Sequence, residues 1–349
     1  RHVWHGLGRL DGDPVFNALL GGNDPERGYM DIVVAGAKES QQRYLHNTAI
    51  VETVIEGATG TVRMVDFAPR FRRFGRMFRP PMLIRRLEPI VGRPRVTVRI
   101  RPTFDYGAHR AQLTSGSNHV RYFGDGSVIR LTTDVPVSYV LHETEFSLDR
   151  PVTLIVGADE SIPENPDALA RNFLTETEDY WHSWVRDLNI PFDWQAAVIR
   201  AAITLKLCSY EDTGAVLAAL TTSIPEAAGT PRTWDYRFTW LRDAFFTVSA
   251  LNRLSATRTM EGFVRFIVDV VEACTSHGGD GVIAPLFPIA PGMDTTERLV
   301  ESLPGYRGFG PVRVGNAAVH QRQNDTYGSM VLTAAQMFWD ERLPKQGDL

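Results

Sequence analysis

The stretch from Pro231 to Phe246 concentrates residue types that together can bind a sugar. It contains Arg232, Trp234, Asp235, Tyr236, Arg237, Trp240, Arg242 and Asp243. Aromatic faces stack on the C–H surfaces of sugars, a carboxylate accepts hydrogen bonds from adjacent hydroxyl groups, and a guanidinium donates several in a fixed fork. In the alternative interpretation, the stretch is a buried structural cluster in which Asp235 pairs with Arg237 and the tryptophans fill a core. Composition leaves both interpretations open.

Two charged residues of this stretch, Arg242 and Asp243, begin a predicted helix, where the helix dipole favours a carboxylate. A second segment, residues 303–328, has a similar mixture of glycine, aromatic and polar residues, including Gln323 and Asp325. Its glycines do not follow the spacing of a phosphate-binding loop, which lies between a strand and a helix. We therefore expect both segments to contribute to one site for a neutral, hydroxyl-rich ligand.

The elements that must position these residues fall into two kinds. Residues 1–160 contain many short strand patterns, such as Val96, Val98 and Ile100 alternating with polar residues, and predict an antiparallel β-sandwich. Runs at 136–148 and 151–157 are interpreted as further strands. Residues 161–190 predict a helical linker, and residues 191–349 are helical, with long loops at 218–240 and 275–316. Loops of that length are uncommon in compact domains unless they are functional, so we expect them to carry the site.

Charge and composition exclude several functional classes. Basic and acidic residues number 37 and 41, a balance that favours neither nucleic acid nor a membrane surface as partner. The basic run at 70–79 predicts a surface loop whose phenylalanines, including Phe74, pack inward. The two cysteines, Cys208 and Cys274, predict buried apolar side chains rather than a disulfide framework. We expect a cytoplasmic protein that needs no metal or cofactor.

Several ordered motifs resemble the family of glucoamylases and prokaryotic trehalases, family fifteen of the glycoside hydrolases. In the second half these are LKLCSYEDTGAVLAALTTSIPE, RTWDYRFTWLRDAFFTVSAL and VGNAAVHQRQNDTYG. In the first half LDGDPVFNALLGG, YLHNTAIVETVIEGATGTVRMVDFAP and LIRRLEPIVGRPRVTVRIRPTFDYG are similar to the family's prokaryotic N-terminal domain. The resemblance implies a multidomain α and β fold, a β-sandwich over 1–160 followed by an incomplete (α/α)6 toroid over 191–349.

The resemblance also implies the chemistry, which is hydrolysis of α-glucosidic bonds with inversion, releasing glucose from the non-reducing end. Arg242 and Asp243 would hold the terminal glucose through its hydroxyl groups. Five further residues would line the site: Trp234, Tyr236, Trp240, Gln323 and Asp325. The family's acid and base are glutamates in Trp-Glu and Ser-Glu-Gln contexts, which do not occur here. We therefore expect them beyond Leu349 and interpret the chain as a fragment that carries the substrate-binding residues.

Other functions fit the same sequence features. An inverting disaccharide phosphorylase has a similar architecture but uses phosphate as the nucleophile, and a non-catalytic α-glucan-binding protein would need only the sugar site. The sequence does not choose among trehalose, maltose-type and isomaltose-type substrates, and it does not indicate an oligomeric state.

Overall fold

The structure is a computed structural model that describes residues 1–6, 8–22, 26–276 and 282–343. It divides into two compact units, Arg1–Val185 (unit 1) and Arg186–Leu349 (unit 2). Unit 1 is dominated by antiparallel sheets and unit 2 by helices, so the fold is mixed α and β, as predicted. Part of the predicted loop 275–316 and the last residues of the segment 191–349 lie outside the described residues.

Unit 1 contains two main sheets among its described residues, and every strand pair in them is antiparallel. The larger has eight strands, in spatial order Gln112–Ser115, His119–Gly124, Ser127–Thr133, Val152–Gly157, Met82–Gly92, Gly60–Phe67, Val51–Gly57 and Glu39–Tyr44. The smaller has three, in the order Phe146–Ser147, Arg95–Arg101 and Tyr29–Val34. Three short pairs complete the unit: His5–Gly6 with Pro14–Phe16, Phe71–Arg73 with Arg76–Phe78, and Thr103–Phe104 with His109–Arg110.

The alternation predicted for the strand Arg95–Arg101 is confirmed. Val96, Val98 and Ile100 are buried, and they share one hydrophobic core with residues of the eight-stranded sheet such as Val62 and Leu131. Because successive side chains of a strand point to opposite faces, the intervening residues lie on the other face of the small sheet. The inward faces of both sheets therefore build a common core.

A long helix covers the opposite face of the eight-stranded sheet. We number the described α-helices in chain order, beginning with α1 (Val137–Leu141) and α2 (Pro166–Arg186). Leu169 and Phe173 of α2 pack with Val65, Ile84 and Ile155 of the sheet. Helix α2 lies within the segment that the sequence predicts as a linker, and its apolar stripe is buried in unit 1.

Two local predictions in unit 1 are wrong. Residues 137–141 form helix α1 rather than a strand, and its buried residues Val137 and Val140 are three positions apart, which puts them on one helix face. Phe74 is 94% exposed, at the tip of a hairpin whose turn residues, Phe74 and Gly75, both have positive φ. A two-residue turn of this kind directs its side chains away from the sheet. Its neighbours Phe71 and Phe78 do pack inward, against Phe173.

Unit 2 is built from four described α-helices: α3 (Gln195–Leu207), α4 (Leu241–Arg253), α5 (Thr257–Ser276) and α6 (Asp325–Trp339). A 3-10 helix (Ala317–His320) precedes α6. Short strand pairs join the loops: Ser209–Tyr210 with Ala215–Val216, Thr239–Trp240 with Leu286–Phe287, and Arg298–Val300 with Val312–Val314. Helix α4 packs against both α5 and α6, and α5 and α6 also contact each other.

The apolar stripe of α5 confirms the helical spacing predicted from the sequence. Met260, Phe263, Ile267 and Val270 are buried in one cluster with Val248 of α4. None of the described helices combines the length and the apolar character that crossing a membrane requires.

Candidate functional site

The predicted loop 218–240 runs as two antiparallel segments joined by backbone hydrogen bonds. The amides of Ala219 and Ser223 donate to the carbonyls of Tyr236 and Trp234, at 2.9 and 3.0 Å. Ser223 also accepts a hydrogen bond from the amide of Arg313, at 2.8 Å. These contacts fix the loop against the segment that leads into α6, so the aromatic residues that it carries are held on ordered backbone.

Asp235 and Arg237 form a buried ion pair at the base of this loop. Nε and Nη2 of Arg237 donate to the two carboxylate oxygens at 3.0 and 2.9 Å, and both side chains are at most 2% exposed. The amide of Gly315 donates to the same carboxylate at 3.3 Å, and the side chain of Asn316 donates to the Asp235 carbonyl at 2.9 Å. The structural interpretation therefore holds for this pair, which joins the two polar segments rather than facing a ligand.

Arg242, Asp243 and Asp325 form an accessible charged cluster, which we call the charged trio. Nη1 of Arg242 donates to Oδ2 of Asp325 at 2.7 Å, and Nη2 lies 3.6 Å from Oδ2 of Asp243. The three side chains are between 44% and 50% exposed. Leu241 and Ala244 of the same helical turn are buried, and this spacing turns the two charged residues between them toward solvent. Arg242 and Asp325, 83 positions apart in the sequence, thus meet at one surface.

The charged trio lies where two helices begin. Asp243 is in the first turn of α4, and Asp325 is the first residue of α6. Unsatisfied backbone N–H groups give a helix N-terminus a partial positive charge, which stabilises both carboxylates there. The charged trio therefore places one guanidinium and two carboxylates together at an accessible surface.

An aromatic pair lies beside the charged trio. The rings of Tyr236 and Trp240 are 5.3 Å apart with their planes at 49°. Trp240 is 6% exposed and packs with Phe238 and Leu286, whereas Tyr236 is only partly buried. Burial raises the pKa of Tyr236 to about 12, with further contributions from a hydrogen bond to Glu226 and from the negative charge of Asp243. The tyrosine is therefore protonated at neutral pH and lies within electrostatic range of the charged trio.

The remaining two predicted residues make different contacts. Trp234 is partly buried, with the guanidinium carbons of Arg232 and Arg313 each 6.0 Å from its ring centroid. Gln323 donates to the side chain of Gln321 at 2.9 Å. Neither Trp234 nor Gln323 contacts the charged trio through these interactions. Their role in the site therefore stays a prediction.

Sequence reasoning missed Glu226. Its carboxylate accepts hydrogen bonds from the Tyr236 hydroxyl and from Arg232, and the hydrogen bond from Tyr236 is the main cause that lowers its pKa. Glu226 stands ten positions before Tyr236, and only the antiparallel folding of the loop brings the two together. Glu226 is the last residue of the motif LKLCSYEDTGAVLAALTTSIPE, whose resemblance to the family implies no role for it.

Metal binding finds no support in the described segments, where no group of three or more His, Cys, Asp or Glu side chains is placed to hold an ion. The acidic residues of the charged trio instead contact a guanidinium. Their arrangement suits hydrogen bonding to hydroxyl groups.

Comparison with known proteins finds the same family that the motifs indicate. Residues 193–348 match the sequence model of glycosyl hydrolases family 15. The trehalase of Thermoplasma volcanium is 28% identical over 339 residues, which cover 94% of this chain and 52% of that protein. The trehalase of Thermoplasma acidophilum is 28% identical, with 94% and 56% covered, and that of Mycobacterium tuberculosis is 29% identical, with 94% and 52% covered.

The chain spans about half the length of these curated relatives. All seven residues predicted for the site lie inside the segment that matches the family. The resemblance to family fifteen of the glycoside hydrolases is thereby confirmed, through the family model over unit 2 and through the trehalases over nearly the whole chain.

Proposed function

We propose that this chain supplies the glucose-binding residues of an inverting α-glucoside hydrolase of the trehalase type. The observation that carries the proposal is the charged trio, an accessible arginine with two carboxylates at the N-termini of two helices, beside an aromatic pair. The names of the curated relatives support trehalose as the first substrate to test.

Within the charged trio, the three residues have different parts. The Asp243 carboxylate accepts hydrogen bonds from two adjacent hydroxyl groups of the terminal glucose, and Arg242 donates to a third position. Asp325 already takes one N–H of Arg242, and thereby fixes the plane of the guanidinium. Tyr236 and Trp240 supply an aromatic wall for the C–H surface of the ring. In this proposal Asp325 orients Arg242 and does not itself contact the sugar.

The reaction proposed is a single displacement. A protonated carboxyl group donates to the glycosidic oxygen, while a carboxylate about 6.5–9.5 Å away activates water on the opposite face of the sugar. We assign neither of these two roles to a described residue. The charged trio contributes by binding the distorted sugar more tightly in the transition state than in the ground state.

We also propose domains for the two units. Unit 1 would be an antiparallel β-sandwich, because its two sheets share one core. Unit 2 would be the first part of an (α/α)6 toroid, in which α3, α4, α5 and α6 belong to the ring and the loops carrying the charged trio lie at one end. The sequence-based boundaries are 1–160 and 191–349, with α2 between them.

The test uses the complete natural protein that contains this chain. Incubation with trehalose, maltose and isomaltose, each with and without phosphate, is followed by proton NMR, which resolves both anomers and glucose 1-phosphate. The proposal predicts free glucose. Because the reaction inverts the anomeric carbon that water attacks, the glucose unit carrying that carbon should appear first as the β-anomer. Glucose 1-phosphate as product would make the protein a phosphorylase. Binding without any product would leave a glucan-binding protein.

A further inference from the structure

Glu226 holds the two ends of a short loop beside the predicted sugar site. Its backbone amide donates to the carbonyl of Arg232 at 3.0 Å, which closes the loop 226–232. Its side chain then binds two partners, one with each carboxylate oxygen: the Tyr236 hydroxyl with Oε1 and the Arg232 guanidinium with Oε2. One carboxylate therefore joins two side chains of the segment that carries the site.

Both partners of Glu226 lead to aromatic residues of the site. The ring of Tyr236 lies 5.3 Å from that of Trp240, and the guanidinium of Arg232 lies 6.0 Å above Trp234. The Glu226 side chain is 32% exposed and that of Arg232 is 59% exposed. An ion pair this exposed adds little to the stability of the fold. A stabilising role therefore does not account for the two partners of the Glu226 carboxylate.

We propose that Glu226 is a positioning residue for the sugar site, whose carboxylate fixes the orientation of the Tyr236 hydroxyl. This inference rests on the proposed function, since it names a residue that shapes the same glucose-binding surface. Glu226 acts through Tyr236 and does not itself touch the sugar.

The hydrogen bond also determines what Tyr236 offers to a ligand. The pKa of Glu226 lies below its ordinary value and that of Tyr236 is raised to about 12, so near neutral pH the carboxylate is ionised and the phenol keeps its proton. A tyrosine has one O–H to donate. Because that proton goes to Glu226, the phenol oxygen faces a ligand as an acceptor, which selects for a sugar hydroxyl that donates.

Four variants test this, namely Glu226→Ala, Glu226→Gln, Tyr236→Phe and the double variant of Glu226→Ala with Tyr236→Phe. The measurements are the dissociation constant of D-glucose and the near-ultraviolet circular dichroism, to which the Tyr236–Trp240 pair contributes. The matched control is Asp269→Ala, which removes an exposed carboxylate of the same unit. All are made in the complete natural protein.

We expect Glu226→Ala to weaken glucose binding about three- to tenfold, the range given by the net contribution of one hydrogen bond. Glu226→Gln should restore most of the affinity, because its amide oxygen still accepts from the tyrosine. In the Tyr236→Phe background the alanine substitution should add little, and the control should match the parent protein. The dichroism should change in Glu226→Ala and return in Glu226→Gln.

The outcomes separate this inference from the proposed function. Suppose that the parent protein binds no sugar, but the dichroism changes in Glu226→Ala and returns in Glu226→Gln. The proposed function then fails, and the positioning of Tyr236 by Glu226 stands. If glucose binds and Glu226→Ala leaves both affinity and dichroism unchanged, the positioning inference is overturned. Fully additive losses in the double variant would also overturn it, because Glu226 would then act independently of Tyr236.

Discussion

Replacing Asp325 with alanine removes the carboxylate that holds the Arg242 guanidinium at 2.7 Å. The two side chains are 45% and 44% exposed, and pairs of this kind contribute about 0–1 kcal/mol to stability. Loss of a carboxylate from the first turn of α6 adds about 0.3–1 kcal/mol. We therefore expect the free energy of unfolding to fall by at most about 2 kcal/mol.

Asp325→Ala should also weaken the binding of the sugar, and this loss is large relative to the total binding free energy. A hydrogen bond to a charged group contributes about 1.5–3 kcal/mol, and losing the fixed orientation of Arg242 forfeits a large part of one such bond. This corresponds to a loss of affinity for D-glucose of about tenfold or more, since 1.4 kcal/mol is a factor of ten. Asp325→Asn retains an oxygen that accepts from Arg242, so its loss should be intermediate.

The assay pairs calorimetric titration of D-glucose with urea denaturation of the same samples. Asp269→Ala, which removes an exposed carboxylate from α5, is the control and should leave both quantities unchanged. Unaltered affinity in Asp325→Ala would refute the idea that Asp325 holds Arg242 for the sugar. A stability loss above about 3 kcal/mol, typical of a broken buried pair, would show that the residue is structural instead.

Three further predictions concern stability. Asp235→Ala should cost about 3–5 kcal/mol in urea denaturation because it leaves the Arg237 charge buried without its partner, and a loss below 1 kcal/mol would contradict that assignment. Gly214→Ala should destabilise the protein by more than Gly229→Ala, since an added Cβ at Gly214 would lie 1.9 Å from a backbone oxygen of α5 whereas Gly229 has open space; equal melting temperatures would contradict this. Burial lowers the pKa of His5 to about 4, so the unfolded chain takes up a proton that the folded chain does not as the pH falls below about 6.5. Stability should therefore decrease from pH 7 to pH 4, and His5→Phe should lose less over that interval; the same loss in both proteins would remove His5 from the account.

The sequence predicted the features that depend on local periodicity. The alternation at Val96 and Val98 marks an inward strand face, and the stripe containing Met260 and Phe263 marks the buried face of α5. Both follow from burying apolar side chains at the period of the element. The contact of Arg242 with Asp325 shows that the two polar segments meet, and that they form one site stays a prediction.

Other features depend on contacts that no local pattern encodes. Phe74 is exposed because a left-handed turn directs it outward, although its apolar character predicts burial. Asp235 and Asp243 are both acidic residues of one short segment, yet the first is 1% exposed in a buried pair and the second is half exposed at a helix start. The different roles of Asp235 and Asp243 depend on the register of the loop against residues 313–316, which the sequence does not show. Glu226 reaches Tyr236 because the loop folds back on itself as two antiparallel segments.

The central claim is that Asp243 and Arg242 bind the terminal glucose of the substrate. The most direct measurement is kcat/KM for trehalose, maltose and isomaltose in the complete natural protein and its Asp243→Ala variant, with unfolding followed in parallel. We predict a loss of at least about a hundredfold, as expected when charge-assisted hydrogen bonds that strengthen in the transition state are removed. The free energy of unfolding should change by about 1 kcal/mol or less, because the side chain is half exposed. Unchanged turnover on all three sugars would contradict the claim.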